Sequence, residues 1–420
     1  MLDIKFICEN KDLVVLGAKK KHIDFDIEEL LSLDNSRRAI LAEVETMRAS
    51  QNTTATAVAQ ATDSEEREKM ITASRLLKDI LQKKEEELSL VMKKWQGLML
   101  QVPNIPDMSV PEGVTDAENA EIRTWGEIPK FDFEPKDQVT IMENLDMVDF
   151  ARGTKVAGFR GYFLKNDATL LNFALWQFVL NKFVAKGFTP MMVPSLLKKE
   201  PFIGTGFLPQ GEEDLYKTQD GDYLAGTGEV GMMGYYMDEV LKREDFPKKF
   251  IAFSPCFRRE AGSHGKDTKG IVRVHEFFKM EQVVLCEASH EETVKYHEEL
   301  TALSEEIMQD LKIPYRVVVN CGGDLGLGQV KKYDIEAWVP SEGKYRETHS
   351  ASYFHDFQTR RLNIRYKDTE GKLRFAHSLN DTALASPRIL VPLVENYQNA
   401  DGTITVPEVL RLYMGKEIIK

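Results

Sequence analysis

Apolar residues in the first hundred positions recur every three or four places, the spacing that lines one face of a helix. One seam starts after Ile27 and passes through Leu30, Leu33, Arg37, Ile40, Val44, Met47, Gln51, Thr54 and Val58. A break at Thr62-Asp63-Ser64 follows, with acidic residues placed to complete a capping box. A second seam runs through Met70, Ser74, Leu77, Leu81, Lys84, Leu88, Val91, Trp95 and Leu98. Two helices around so tight a turn predict an antiparallel hairpin, each arm roughly 50 Å long at about 1.5 Å per residue. A dimerisation coiled coil and a projecting arm both fit this pattern. Residues 51–62 carry neither charge nor large apolar side chains, which suits an arm that packs at its base and offers its tip to a partner.

The segment VPNIPDMSVPEG at 102–113 punctuates the chain with prolines and divides it into an arm, 1–103, and a second domain, 104–420. Beyond it the pattern mixes strands and helices. Asp167 is placed to cap a helix through Leu170, Leu171, Ala174, Phe178 and Phe183 that Gly187 ends. The strand FTPMMVPSLL holds Pro190 and Pro194, which consigns it to a sheet edge, where a partner subunit can lie beside it. Ser289 and Glu292 make a capping box for a long helix ending near Lys312. Ser386-Pro387-Arg388 reads as cap, first and second residue of a last helix, which puts a cation where backbone N–H groups already favour phosphate. Pro392 falls inside that helix, removes an N–H and tilts the turn that carries Arg388.

Two stretches, 250–260 and 271–286, alternate with period two and read as strands joined by a glycine- and charge-rich loop. Arg258 and Glu260 share a face of the first strand. In the second, Arg273, His275, Phe277, Lys279 and Glu281 share one face, while Val272, Val274, Phe278 and Met280 share the other. The apolar face belongs in a core. The row of charges around one aromatic is costly to bury dry and has the profile of a floor for a charged, ring-bearing ligand, although a solvated hairpin alternates in the same way. The loop adds Arg259, His264, Lys266 and Lys269, a setting that suits phosphate.

Composition narrows the field. The 420 residues are 42% hydrophobic, enough for two folded domains. A net charge of -12 argues against a protein that coats nucleic acid, DNA included, so a nucleic-acid partner would be held by local patches. Cys8, Cys256, Cys286 and Cys321 form no C-x-x-C pair, which points to a reducing compartment rather than a disulfide framework or zinc site. With no membrane-length apolar run and no secretory pattern, the cytoplasm is expected. The glycine clusters at 204–206, 226–228 and 322–328 lack the setting of a dinucleotide fold, and no P-loop occurs.

The motifs themselves are specific. FRREAGSHGKDTKG with RVHEFFKMEQ resembles motif two of the class II aminoacyl-tRNA synthetases, in particular the seryl-tRNA synthetase family. GFTPMMVPSL is similar to motif one, TGEV to that family's T-x-E motif, and NDTALASPRIL with ENYQNADG and VPEVLRLYM to motif three. The helical hairpin before a proline linker is similar to the family's tRNA-binding arm. The resemblance implies an α+β fold, an antiparallel sheet flanked by helices, acting as a homodimer through motif one. It further implies activation of L-serine by ATP with Mg²⁺, and transfer of the seryl group to the terminal ribose of tRNA(Ser). Catalysis of this kind is positioning and charge neutralisation.

Carried over by position, Arg258 bridges the serine carboxylate and α-phosphate, Glu260 meets the adenine side, and Phe277 stacks on adenine with Val274 alongside. Arg388 covers the other adenine face and meets the γ-phosphate, while Glu347 and Ser350 hold Mg²⁺. Thr227, Glu229, Glu281, Asn380 and Thr382 form the serine pocket, with Glu281 and Thr382 near the side-chain hydroxyl, so that alanine is rejected because it would leave polar groups unpaired. Glu347 and Ser350 are three apart, so a shared metal demands a bulge between them. Departures from the family pattern are Gly228 for alanine, Ala351 and Tyr353 for cysteine and a smaller residue, and Asp381, a negative charge beside the pocket. They leave open a synthetase-like paralogue of altered amino-acid specificity or a non-catalytic binding role. The arm tip is poor in Lys and Arg, which shifts recognition there toward shape and ribose hydroxyls.

Overall fold

A computed structural model describes residues 1–263, 265 and 267–420, so the loop cations His264 and Lys266 lie outside the described residues. The chain forms two compact units, one of Asp3–Lys19 and Ile23–Val102, the other of Met1–Leu2, Lys20–His22 and Pro103–Lys420.

In the first unit α1 (Ile27–Gln60) and α2 (Ser64–Met99) pair antiparallel. Asp26 caps α1 by accepting from the Glu29 N–H, and Asp63, the middle residue of the sequence break, caps α2 through the N–H groups of Glu65 and Glu66. The seam follows the periodicity: Ile40, Val44 and Leu81 are buried, with Met47, Leu88 and Val91 packed on them. Arg37 lies over the Trp95 ring at 4.6 Å. The periodicity misses Asp34, which is buried and paired with Arg37 at 2.7 Å and Arg38 at 2.9 Å.

The second unit is built on eight strands: β1 (Ala120–Trp125), β2 (Thr189–Met192), β3 (Lys248–Phe257), β4 (Glu276–Cys286), β5 (Tyr315–Val319), β6 (Lys331–Val339), β7 (Lys344–His355) and β8 (His377–Ser386). Their order is β1-β5-β6-β7-β8-β4-β3-β2, antiparallel throughout except for the parallel pair β2–β3. The proline-bearing β2 is an edge, as its sequence requires. Helices α3 (Asp167–Ala185), α5 (His290–Asp310) and α7 (Leu390–Asn396) supply Leu171, Leu175, Leu300, Ile307, Leu390 and Leu393 to a core shared with Met280, Val284, Ile335, Tyr353 and Leu384 of one sheet face. Each such side chain contributes about 1.5–3 kcal/mol on burial. The shorter α4 (Gly228–Gly234) and α6 (Phe357–Arg361) lie between strands of the second half.

Two of the register shifts in the sheet bear on the site. On β7 the register with β6 passes from His349 to Glu347, leaving Thr348 extra, and on β8 the register with β4 passes from Leu384 to Thr382, leaving Ala383 extra. The β7–β8 ladder itself runs only from His355–Ser378 to Ala351–Asp381 and ends short of both bulges.

Several local expectations are corrected. The hairpin strands are shorter than their alternation, because residues 258–275 form the connecting loop and Glu260 takes a φ of 55°. Strand parity therefore does not govern Val272 and Val274. Asn166, with φ 49°, occupies the cap position of α3, and Asp167 sits in the first turn paired with Lys416 at 2.6 Å. Strand β8 continues to Ser386 and α7 starts only at Leu390, so Arg388 lies in the turn between them rather than in the helix. Pro392 then falls in the first turn of α7, where its missing N–H has no intrahelical acceptor to lose, and the Arg388 carbonyl accepts from Val391 at 3.1 Å instead.

Candidate functional site

The sheet face opposite the core carries a cavity of about 230 Å³ that gathers all twelve side chains singled out from the sequence. Phe277 and Glu281 project into it from β4 by strand alternation, and Asn380 and Thr382 from β8. Further along β4 the same face carries Val283 and Leu285, which Met232 and Met233 of α4 cover, and this closes the cavity on that side. Thr227 caps α4, its hydroxyl accepting from the Glu229 N–H at 3.2 Å, and so aims both residues inward. Arg258 and Glu260 enter from the loop, with Val272 and Val274 on the same wall. The Thr348 bulge brings Glu347 and Ser350 to one face, as a shared ligand demands, and Arg388 follows β8.

Two chemically different groupings result. In the first, Glu229 and Glu281 are buried close enough to repel each other. Burial, then the Glu281 carboxylate, pushes Glu229 up to about 7. Burial also raises Glu281, although the Lys279 ammonium pairs with it and opposes the shift. With Asn380 and Thr382 beside them, these groups offer acceptors to a ligand that carries an ammonium and a hydroxyl. In the second grouping Arg258 lies over the Phe277 ring at 5.3 Å and donates through Nε to the Gly226 carbonyl at 3.2 Å. A Cβ on Gly226 would stand 3.2 Å from Arg258 Cγ, so glycine leaves room for the guanidinium. Arg388 donates to the Val272 carbonyl at 3.1 Å and lies 3.5 Å from Glu347. Glu260 is pulled upward by burial, but the Ser263 hydroxyl at 3.0 Å and Arg273 at 3.1 Å hold its carboxyl below the ordinary value. Arginines around an aromatic floor suit a phosphorylated ring compound.

Three of the four departures named for the pocket, all on its strands, turn away from the cavity. Ala351 and Tyr353 face the core, where the Tyr353 hydroxyl donates to Asp107 at 2.9 Å. Asp381 is fully buried on the core face and accepts from Gln282 at 2.9 Å and Ser304 at 2.6 Å. Burial raises it well above the ordinary carboxylate value, and its side chain is engaged on the face away from the cavity. Gly228 does lie in α4 beside Thr227, and a Cβ there would meet Ser254 Oγ at 3.2 Å. Phe278 faces away from the cavity, stacked with Phe253 at 6.1 Å. Sequence reasoning missed Lys279 and Gln329 as cavity residues, although Lys279 shares the charged face of β4; Gln329 reaches the wall from a turn that no periodicity marks. Among the described residues no group of three or more His, Cys, Asp or Glu is arranged to hold a metal, and no helix is long and apolar enough to cross a membrane.

Known proteins resemble this chain over its whole length. Residues 1–106 match the model of the seryl-tRNA synthetase N-terminal domain, and 216–397 that of the tRNA synthetase class II core domain (G, H, P, S and T). The chain is 46% identical to a serine–tRNA ligase of Deinococcus radiodurans over 99% of its own length and 98% of that protein's. It is 42% identical to one of Treponema denticola over 99% of each. Its fold superimposes on the crystal structure of seryl-tRNA synthetase from Pyrococcus horikoshii complexed with ATP, with a TM-score of 0.90, 38% identity, and 100% and 99% of the two chains covered.

Proposed function

The chain belongs to the seryl-tRNA synthetase family of class II enzymes, joining serine to tRNA at the expense of ATP, and we propose how its own residues divide that work. The observation that carries the division is the polarity of the cavity, with buried Glu229 and Glu281 in one grouping and Arg258, Phe277 and Arg388 in the other.

Glu229 receives the serine ammonium, with Thr227 and Asn380 beside it, and Glu281 and Thr382 bond the side-chain hydroxyl. Alanine would leave that carboxylate and hydroxyl desolvated and unpaired, a stronger rejection than size alone supplies. Phe277 carries the adenine ring, with Glu260 and Val274 at its edge. Arg258 holds the serine carboxylate against the α-phosphate, so that a carboxylate oxygen attacks phosphorus as the bond to pyrophosphate breaks. Arg388 neutralises the departing phosphates. The terminal ribose hydroxyl of tRNA then attacks the seryl carbonyl and AMP leaves.

Glu347 and Ser350 offer hard oxygen donors on one face of β7, a set that fits Mg²⁺ completed by phosphate oxygens and water. The ion would supply positive charge to the phosphates. Residues 1–103 serve as the tRNA-binding arm and 104–420 carry the chemistry. A homodimer forms along β2, where the edge position and the 83% exposure of Met192 support an apolar interface. The four free cysteines suit the reducing cytoplasm.

Serine-dependent ATP–pyrophosphate exchange followed by charging of tRNA tests the assignment. Exchange should respond to serine alone among the amino acids. A non-serine winner would instead support altered specificity, and no exchange at saturating serine and Mg²⁺ would support a non-catalytic role.

A further inference from the structure

We propose that Gln358 is a positioning residue for serine, its amide clamping one oxygen of the Glu229 carboxylate so that the other faces the substrate ammonium. The inference rests on the assignment of Glu229 to that ammonium. Gln358 lies on α6, only 1% exposed, and donates from Nε2 to Glu229 Oε1 at 2.6 Å and to the Thr205 carbonyl at 3.3 Å. Its Oε1 accepts from the Ser378 hydroxyl at 2.7 Å. The Thr205 carbonyl can only accept, so the amide has one possible orientation, and the end facing Glu229 is a donor. Two partners distant in the chain, the Thr205 carbonyl and the Ser378 hydroxyl, therefore fix the side chain independently of the carboxylate.

The choice of a neutral donor has a physical purpose. The charged groups acting on Glu229 are Glu281, which repels it, and Lys279, whose ammonium is engaged by Glu281. A lysine or arginine at 358 would satisfy Glu229 and compete with the incoming ammonium. A glutamine amide orients the carboxylate and leaves its charge for the substrate. The elevated Glu229 value of about 7 is consistent with a carboxylate that lacks a resident cation.

Exchange kinetics of the full chain between pH 6 and 9, with serine and ATP varied separately, test this on Gln358→Leu, Ser378→Ala and Glu229→Gln. Q358L should raise KM for serine about tenfold, the loss expected for one hydrogen bond to a charged group, with KM for ATP within about twofold. Removing the donor favours the neutral carboxyl, so the acidic limb of kcat/KM for serine should move to higher pH. S378A, which retains Gln358 and its volume, should shift the same two readouts in the same direction by about two- to threefold, and it guards against misfolding of Q358L. Unchanged serine KM in both variants, or kcat and both KM values worsening together with the acidic limb fixed, would overturn the inference. If E229Q raises serine KM and Q358L does not, the clamp alone fails. If E229Q itself leaves serine KM unchanged, the assignment of Glu229 fails and the clamp with it.

Discussion

Replacing Lys279 by methionine removes one half of an ion pair whose side chains are only 8% and 3% exposed. The volume is nearly conserved, so the cost comes from Glu281, left as a buried carboxylate without its cation. Breaking such a pair from one side costs about 3–5 kcal/mol. The cost depends on pH with a definite sign. Burial holds the Glu281 carboxyl above its ordinary value of 4.5 even with Lys279 present, and removing the cation raises it further. An acid whose native value is raised binds its proton more tightly when folded, so its contribution is favourable below the ordinary value and is lost as pH rises through the native one. K279M should therefore differ little from the parent near pH 4.5 and lose the full amount near pH 8. Urea midpoints and thermal melts of both proteins at several pH values measure this, the alkaline melting temperature falling by roughly 4–7 °C. A loss of equal size at pH 5 and pH 8 would refute the pairing argument, because simple loss of packing carries no pH dependence.

Three further outcomes are expected. Gly228→Ala should leave exchange within about twofold and stabilise the protein by about 0.5–1 kcal/mol, since the new methyl meets only the Ser254 hydroxyl at 3.2 Å and ordinary contacts at 3.5 Å, and alanine suits a helix better; calorimetry and exchange check both. Asp381→Asn should gain stability relative to the parent as pH rises above the ordinary carboxylate range, because the raised carboxyl of the parent pays to ionise there; a parallel pair of stability–pH curves would contradict this. Leu81→Ala, in the small cluster with Ile40 and Val44, should cost the arm about 2–5 kcal/mol and lower the rate of tRNA charging while exchange with serine and ATP stays unchanged.

Much of this molecule is legible in its residue pattern. The arm was readable because a long seam has many repeats, and every seam position from Leu30 to Leu98 is at least half-buried. The edge strand was readable because Pro190 leaves it few other places in a sheet. Parity placed Phe277 and Glu281 correctly on β4, but failed for Val272 and Val274, where left-handed backbone at Glu260 and the long loop end the alternation. The same limit misdirected the reading of Asp381, Ala351 and Tyr353: proximity in sequence to Asn380 and Ser350 suggested the pocket, whereas neighbours on a strand face opposite ways. The cap of α3 and the start of α7 were each displaced by a few residues, since an Asx residue or a proline marks a terminus only approximately. Gln358 had no local signal at all, because its partners Thr205, Glu229 and Ser378 are distant in the chain and meet only in the fold.

The short β7–β8 ladder has a mechanical meaning. The eight-stranded sheet is two four-stranded plates, β1-β5-β6-β7 and β8-β4-β3-β2, riveted by the few rungs between Ala351–Asp381 and His355–Ser378. One plate carries Glu347 and Ser350, and the other carries Phe277, Glu281, Asn380 and Thr382. The spacing between metal-side oxygens and amino-acid pocket is thus set by the rivets rather than by either plate. Amide exchange at Ser352 and Asn380, which face each other across this seam, reads their strength, and a substitution that loosens them should spoil alignment while every contact residue stays in place.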